Sequence, residues 1–430
     1  MIGQTILPFK LDTTRDSITA QAGLALFGEF VVGLKLSGLC RRQLPAPGSA
    51  MGYAAYNFVF PLQLMFNGGG HCLEDLRMIV RDGALRELLA LEELPSTDAV
   101  GDWLRRMGGG VGLKGLERMN RSVVFRALSS EEQTDYTLDM DATIIEAEKR
   151  SAQLTYKGFK GYTPLLCHLA ENGLVLYSEF REGNVSPQTG NLEVLKRCVR
   201  MMSRAGGGRK RIKYFRSDSA AYQAELLDWC EDQGIEYAVG ADLDSAVREN
   251  IASLPASAWR ELKGGGGWLA ETAHSMNASR HGFRLLVVKR PAQGHLFGAA
   301  AEHFTVIASN RGEDAETVLE WYNQRGEKSE NRLKELKQGI GLDGVPCGDF
   351  AGNAAFFQLG VMAYNLFRIF ELKVLGPEWS SLQLRTVRWR FYQVAGKLVS
   401  HGGAMWLKVS RSVYELFGQV RERSWAFARA

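Results

Sequence analysis

At 430 residues the chain has room for two or three structural units, because domains usually run about 100–200 residues; its 45% hydrophobic and 23% charged residues suit a globular protein with a sizeable core. Its cysteines (Cys40, Cys72, Cys167, Cys198, Cys230 and Cys347) are scattered with no Cys-x-x-Cys pair, which excludes a zinc ribbon or a disulfide framework and leaves reduced thiols as the expectation. Net charge is +4, from 52 basic and 48 acidic residues, a mild excess that permits a nucleic-acid partner without demanding one.

The opening MIGQTILPFKLDTTRD carries charges where a signal peptide needs an apolar run, and no uncharged apolar stretch of about 18 residues occurs, so a soluble intracellular protein is expected. Residues 1–130 read mostly as helices. HCLEDLRMIVRDGALRELLAL sets Leu73, Leu76, Ile79, Leu85, Leu88 and Leu89 at near-helical spacing. Ser96 or Thr97 is placed to cap a second helix, DAVGDWLRRM, which the glycines from Gly108 end. Two helices around a Pro-Ser turn fit either a DNA-reading pair or a helical packing domain.

Near residue 131 the texture changes. DYTLDMDATIIEA alternates and is rich in β-branched residues, so it reads as a buried strand. GYTPLLCHL and LVLYSEFREGN flank Asn172-Gly173, a hairpin signal. NLEVLKRCVRMMSR is a helix, RIKYFRSD a strand, SAAYQAELLDWCEDQ a helix and IEYAVGA a strand. Three antiparallel strands feeding a βαβ unit predict an RNase H-like α/β fold, a mixed sheet flanked by helices; a Rossmann sheet would alternate helices from the start. In 246–312 the segments GGGGWLAET, GFRLLVVKR and HFTVIASN read as strands of a β-rich insertion, after which helix resumes in AETVLEWYNQRGEKSENRLKELKQ and NAAFFQLGVMAYNLFRIFELKVL. The predicted units are a helical DNA-binding or dimerisation region (1–130), the first part of the RNase H-like domain (131–245), the insertion (246–312), and the second part with C-terminal helices (313–430). The glycine clusters match no phosphate-loop pattern and read as turns.

Two-metal phosphodiester chemistry needs carboxylates from separate elements converging on one sheet edge. Asp139 and Asp141, two apart on a strand, share a face; an exposed, solvated edge is the plain alternative. Asp218 ends a strand and starts a helix, where an ordinary helix cap is the alternative. Glu330 lies on a long helix and shares a face with Lys337, as a solvated face would also allow.

Taken together, LDMDAT, FRSDSAAY and WYNQRGEKSENRLKELK resemble the three catalytic regions of bacterial insertion-sequence transposases of the DDE type, the last with its Tyr-x-x-Arg-x-x-x-Glu-x-x-x-x-x-x-Lys signature. The resemblance covers roughly residues 131–400. It implies Asp141, Asp218 and Glu330 as ligands of two Mg²⁺ ions (Mn²⁺ substituting), with Asp139 as the fallback first ligand. Tyr322, Arg325 and Lys337 match the rest of the signature and imply DNA contacts. One departure stands out: Gly326, Glu327, Lys328 and Ser329 make four residues between Arg325 and Glu330 where the family has three. On a continuous helix the extra residue turns Tyr322 and Arg325 away from Glu330, so a π-turn or kink at Gly326 is expected. Glu327 is a rival ligand.

Lys196, Arg197, Arg200, Arg204, Arg209, Lys210 and Arg211 crowd the approach to the Asp218 strand, and Arg385, Arg388, Arg390, Lys397, Lys408 and Arg411 dot the C-terminus beside Trp389 and Trp406. These are solvated faces or phosphate contacts, with Arg209, Lys210 and Arg211 the candidates chosen for DNA. The resemblance also implies that Trp268 could stack on a flipped base; a core tryptophan is the alternative. It further implies cut-and-paste transposition at terminal inverted repeats, with 3′-hydroxyl ends joined to target DNA. The implied partner is double-stranded DNA, the assembly a homodimer in a paired-end complex, and the setting the bacterial cytoplasm and nucleoid, with no membrane. A plain RNase H-like nuclease and a transposase-derived DNA-binding protein that no longer cuts are the rivals.

Overall fold

A computed structural model of the chain describes residues 10–49, 51–291 and 303–429, with the side chains of 327–329 outside the description. The first third is mainly helical, with α1 (Ala22–Gly33), α2 (Ala55–Gly68), α3 (Thr97–Met107) and α4 (Gly110–Ser129) as its longer helices. The leucine-rich stretch at 73–89 is not one helix, because Asp82 interrupts it. Its carboxylate accepts the Leu85 N–H to start a new turn at Gly83 and also accepts the Thr19 hydroxyl at 2.6 Å. Ser96 caps α3 by accepting the Ala99 N–H. Gly108 ends α3 for a packing reason: a Cβ there would sit 1.6 Å from the Ala351 carbonyl oxygen. α3 stacks Trp103 on Phe58 of α2 and buries Val100, Leu104 and Met107.

The central sheet contains β1 (Asp135–Ala142), β2 (Leu165–Leu169), β3 (Val175–Glu179), β4 (Arg211–Ser217), β5 (Glu236–Gly240), β6 (Arg260–Glu261), β7 (Trp268–His274), β8 (Phe283–Arg290) and β9 (His303–Ser309). Their spatial order is β6-β7-β8-β9-β5-β4-β1-β2-β3. β1 is antiparallel to β2 and parallel to β4, and β5 is parallel to β4. The run β3-β2-β1-β4-β5 is the RNase H-like order expected from the sequence. Gly173, at φ 77, closes the tight β2–β3 turn. The insertion is β-rich, but it does not stand apart. β9 pairs antiparallel with β5 (Ser309 opposite Ala238), so β6–β9 continue the central sheet.

Alternation along β1 sorts the two faces. Leu138 and Met140 face α5 (Asn191–Met202) and α6 (Ala224–Gln233), whereas Asp139 and Asp141 face α7 (Ala315–Lys334) and α8 (Phe350–Phe370). α8 is apolar all round because the sheet and the N-terminal helices enclose it. Its few amides close the outer edge of β3: Asn365 both accepts from and donates to Val175 (2.8 and 2.9 Å), and Gln358 donates to the Ser178 carbonyl at 3.0 Å.

α9 (Arg411–Arg429) lies along α1, with Arg421 paired to Glu29 and Phe427 against Phe30. Between α8 and α9 the sequence reading expected helix, but Gly396–His401 and Ala404–Lys408 form a hairpin paired with Ser17–Thr19. A single hydrophobic cluster runs from Ala22 to Phe427, so the region 1–130 shares its core with the rest. Among the described residues no single helix is long and apolar enough to cross a membrane.

Candidate catalytic site at the carboxyl ends of the parallel strands

The two aspartates of β1 have separate fates, decided by the strand beside them. Parallel register sets Asp139 opposite Arg216 of β4. Both are fully buried, and the guanidinium grips the carboxylate bidentately, Nε to Oδ1 at 2.7 Å and Nη2 to Oδ2 at 2.9 Å. Arg216 also lies over Trp321 of α7, with its guanidinium carbon 4.9 Å from the ring centroid. This buried pair ties β1, β4 and α7 together. The sequence carried a signal for it: Asp139-x-Asp141 and Arg216-x-Asp218 repeat the same spacing on two strands.

One step further along the same register, Asp141 and Asp218 follow the pair Met140–Ser217 on adjacent strands, which lie about 4.8 Å apart. Asp141 is 6% exposed. Its Oδ1 accepts from Arg325 Nη1, while Oδ2 is buried and has no hydrogen-bond partner among the described residues. Burial pushes its carboxyl up to about 7; Arg325 pulls it down, and the Asp139 and Asp218 carboxylates push it further up. Asp218 is half-buried, and one oxygen accepts the Ala220 N–H at 3.0 Å, turning the chain into a short helical turn. Its other oxygen carries no such duty. Tyr322 packs beside Arg325, whose guanidinium lies 5.4 Å from the ring centroid. The Tyr322 hydroxyl reaches over Gly240, where a Cβ would meet it at 3.1 Å.

α7 runs unbroken through Gly326, so the break expected there is absent. The irregular turn comes later, as a π-turn at Glu335–Gly339, and external partners hold it. Glu335 accepts the Leu384 N–H at 3.0 Å, and Arg388 donates to the Gly339 carbonyl at 2.6 Å. The unbroken helix aims Arg325 inward, contrary to the expectation. Tyr322, Arg325, Arg332 and Leu336 recur at helical spacing on the sheet side, where Arg332 donates to the carbonyls of Leu169 and Ala170 and Leu336 is fully buried. Glu330, five residues after Arg325, is turned about 140° from it and is exposed. Arg325 and Glu330 therefore do not share a side. The side chain of Glu327 lies outside the described residues. Lys337, on the π-turn, donates to the Ile144 carbonyl at 2.8 Å and lines a cleft of about 480 Å³ that opens beside the end of β1.

Of the basic candidates, Lys210 is a correction. It is 3% exposed, and its ammonium is bonded to the carbonyls of Glu131 and Gln133, so it holds the start of β1 and is not open to solvent. Arg209 donates to the Gly206 carbonyl, and Arg211 pairs with Asp135 at 2.7 Å. Arg209 and Lys210 precede β4 and Arg211 opens it, so the length of the strand puts all three about 20 Å from Asp218. Arg388 is likewise a strut, half-buried and bonded to the carbonyls of Phe66 and Asn67. Trp268 is 41% exposed, so it is not a core tryptophan.

A divalent ion such as Mg²⁺ takes oxygen ligands, usually one or two carboxylates plus water and phosphate oxygens. The unpartnered Asp141 Oδ2 and the neighbouring Asp218 fit that donor set. Among the described residues, no group of three His, Cys, Asp or Glu side chains is gathered as a metal site.

Carboxylates at the ends of two adjacent strands of an RNase H-like sheet suit an enzyme that works on phosphodiesters. The chain belongs to the DDE transposases: the family model for the transposase DDE domain, group 1, matches residues 7–421. By family it is a DNA transposase, of a group that generally uses divalent metal ions. Among solved structures it is similar to a chain of the cryo-EM structure of the piggyBac transposase synaptic complex with hairpin DNA. The TM-score is 0.46 and the identity 11%, over 97% of this chain and 84% of that one. No curated protein sequence matches significantly.

Proposed function

We propose that this transposase works by cut and paste, cleaving DNA at terminal inverted repeats and joining the 3′-hydroxyl ends to target DNA. The observation that carries the reading is the buried, unpartnered oxygen of Asp141 beside Asp218 at the end of the parallel strands. In this reading Asp141, Asp218 and Glu330 hold two Mg²⁺ ions, with Mn²⁺ able to substitute. When bound, such ions activate a water or hydroxyl and stabilise the leaving oxygen. Arg325 neutralises Asp141 and, once released from it, turns its planar donor fork to the scissile phosphate. Tyr322 orients Arg325, and Lys337 contacts the strand end. Glu330 joins the carboxylates when α7 absorbs one residue between Gly326 and Ser329, which cuts its angular offset from Arg325 from about 140° to about 40°. The substrate is double-stranded DNA, both element ends and target, held by a homodimer in the bacterial nucleoid.

The exposure of Glu330 favours one second reading, a DNA-binding descendant that no longer cuts. Asp218→Asn separates the two. Loss of Mg²⁺-dependent cleavage of a donor DNA, with affinity for that DNA unchanged or slightly tighter, is the expected result. No cleavage by the unmodified protein would favour the second reading. Parallel loss of binding and cleavage in Asp218→Asn would reduce Asp218 to a helix cap.

A further inference from the structure

Away from the carboxylates, α4 and α5 face each other across a cleft of about 190 Å³ beside β3. α4 presents Lys114, Arg118 and Arg121 at helical spacing, and α5 presents Arg197 and Arg200, with Arg204 in the turn that follows its last residue, Met202. The two rows come from segments about 80 residues apart and are pinned together by Arg197, which bonds Glu117 at 2.7 Å and stacks on Tyr177 at 4.5 Å. Glu117 is the acid lining the cleft. Arg121 and Arg204 have no hydrogen-bond or ion-pair partner among the described residues. Burial, and then the guanidiniums of Arg204, Arg118 and Arg197, hold Arg121 below its ordinary value, so these four lie within electrostatic reach of one another.

Cations gathered this closely repel; Glu117 offsets part of that by its bond to Arg197 and its field at Arg121, Arg118 is held by Gln43, and the excess positive charge left over is what an incoming polyanion would neutralise. Each row spans about 10 Å, the axial length of about three base pairs of duplex. The cleft is also tied to the catalytic edge. Asn191 at the start of α5 donates to the Ala220 carbonyl beside Asp218, and Arg197 lies about 9 Å further along that helix. The cleft thus lies within the length of one duplex turn of the Asp218 strand end, measured along α5. We propose that the Arg118/Arg121/Arg197/Arg204 cleft is a second contact for duplex DNA, holding the backbone phosphates that flank the cut. The proposal rests on the reading of the chain as a DNA-acting transposase.

The test is the salt dependence of binding to a labelled 40-base-pair duplex, followed by fluorescence anisotropy in a KCl series. Replacing two phosphate contacts in Arg121→Gln/Arg204→Gln should lower the slope of log K against log salt by about 1.8, at roughly 0.9 per contact. Arg121→Lys/Arg204→Lys keeps the charges and should keep the slope, which separates charge from folding. Arg421→Gln, at a surface pair with Glu29, is the control. An unchanged slope in the Gln pair, or an equal fall in the control, overturns the proposal. Loss of binding to polyglutamate with DNA binding intact overturns it in favour of an acidic protein partner. Failure of the unmodified protein to bind duplex at all would instead be a failure of the transposase reading.

Discussion

Asp139→Asn and Asp141→Asn, two residues apart on β1, should change stability in opposite directions. Asp139 is the buried counter-charge of Arg216, held by bonds of 2.7 and 2.9 Å. Replacing it leaves a buried guanidinium without its anion, a loss of about 3–5 kcal/mol. Asp141 works the other way. Its carboxyl is lifted from 3.8 to about 7 by burial, so the folded state binds a proton that the unfolded chain has lost. Stability from this group is complete below pH 4 and disappears as pH rises through 7. At pH 8 the ionised group costs up to about 4 kcal/mol, from a shift of roughly three units at 1.36 kcal/mol each. Asp141→Asn removes that cost. Urea unfolding at pH 8 without divalent ions, read by circular dichroism, should therefore place Asp139→Asn below the unmodified protein and Asp141→Asn above it. Single-turnover cleavage should vanish in Asp141→Asn. The double variant Asp139→Leu/Arg216→Met should recover much of the stability lost in Asp139→Asn. Destabilisation of both single variants alike, or a stable Asp139→Asn that has lost cleavage, would refute the division of roles between the two aspartates.

A second titration lies in the core, where burial lifts Glu371 to about 8 despite its pairing with Arg368. Its stabilising contribution is complete below about pH 4.5 and lost as pH rises through 8, so the stability gap in favour of Glu371→Gln should widen from pH 5 to 8 and then level off. A gap that narrows with rising pH would contradict this. Gly108→Ala should cost about 1–3 kcal/mol or more, because its Cβ meets the Ala351 carbonyl oxygen at 1.6 Å; Gly109→Ala, with nothing within 4 Å, should be nearly silent in the same melts. Mg²⁺ at about 100 times its Kd should stabilise the unmodified protein by about 2.7 kcal/mol in thermal melts, and neither Asp141→Asn nor Asp218→Asn should respond. A full response in either variant would move the ion elsewhere.

Much of this molecule was legible in local pattern. The alternation of YTLDMDA, the Asn172-Gly173 turn, the Ser96 cap and the strand–helix sequence after residue 190 are short-range signals, and they specify strands, turns and helices where the structure has them. Even the hairpin at Gly396–Lys408 was announced by alternation around Gly402-Gly403, both at positive φ, although basic and aromatic residues masked it. Periodicity also put Asp139 and Asp141 on one face. It could not say which of them the buried guanidinium would take, because that depends on Arg216, 77 residues away, and on a parallel register that only the folded sheet sets. The rotation of α7 was hidden for the same reason. Residue spacing fixes the angle between Arg325 and Glu330, but which side turns inward depends on what the helix packs against, and here Arg332 and Leu336 dock it on the sheet. Lys210 looked like a DNA contact in a basic run and proved to be a buried strut, since charge in a sequence carries no record of where the carbonyls of Glu131 and Gln133 will lie.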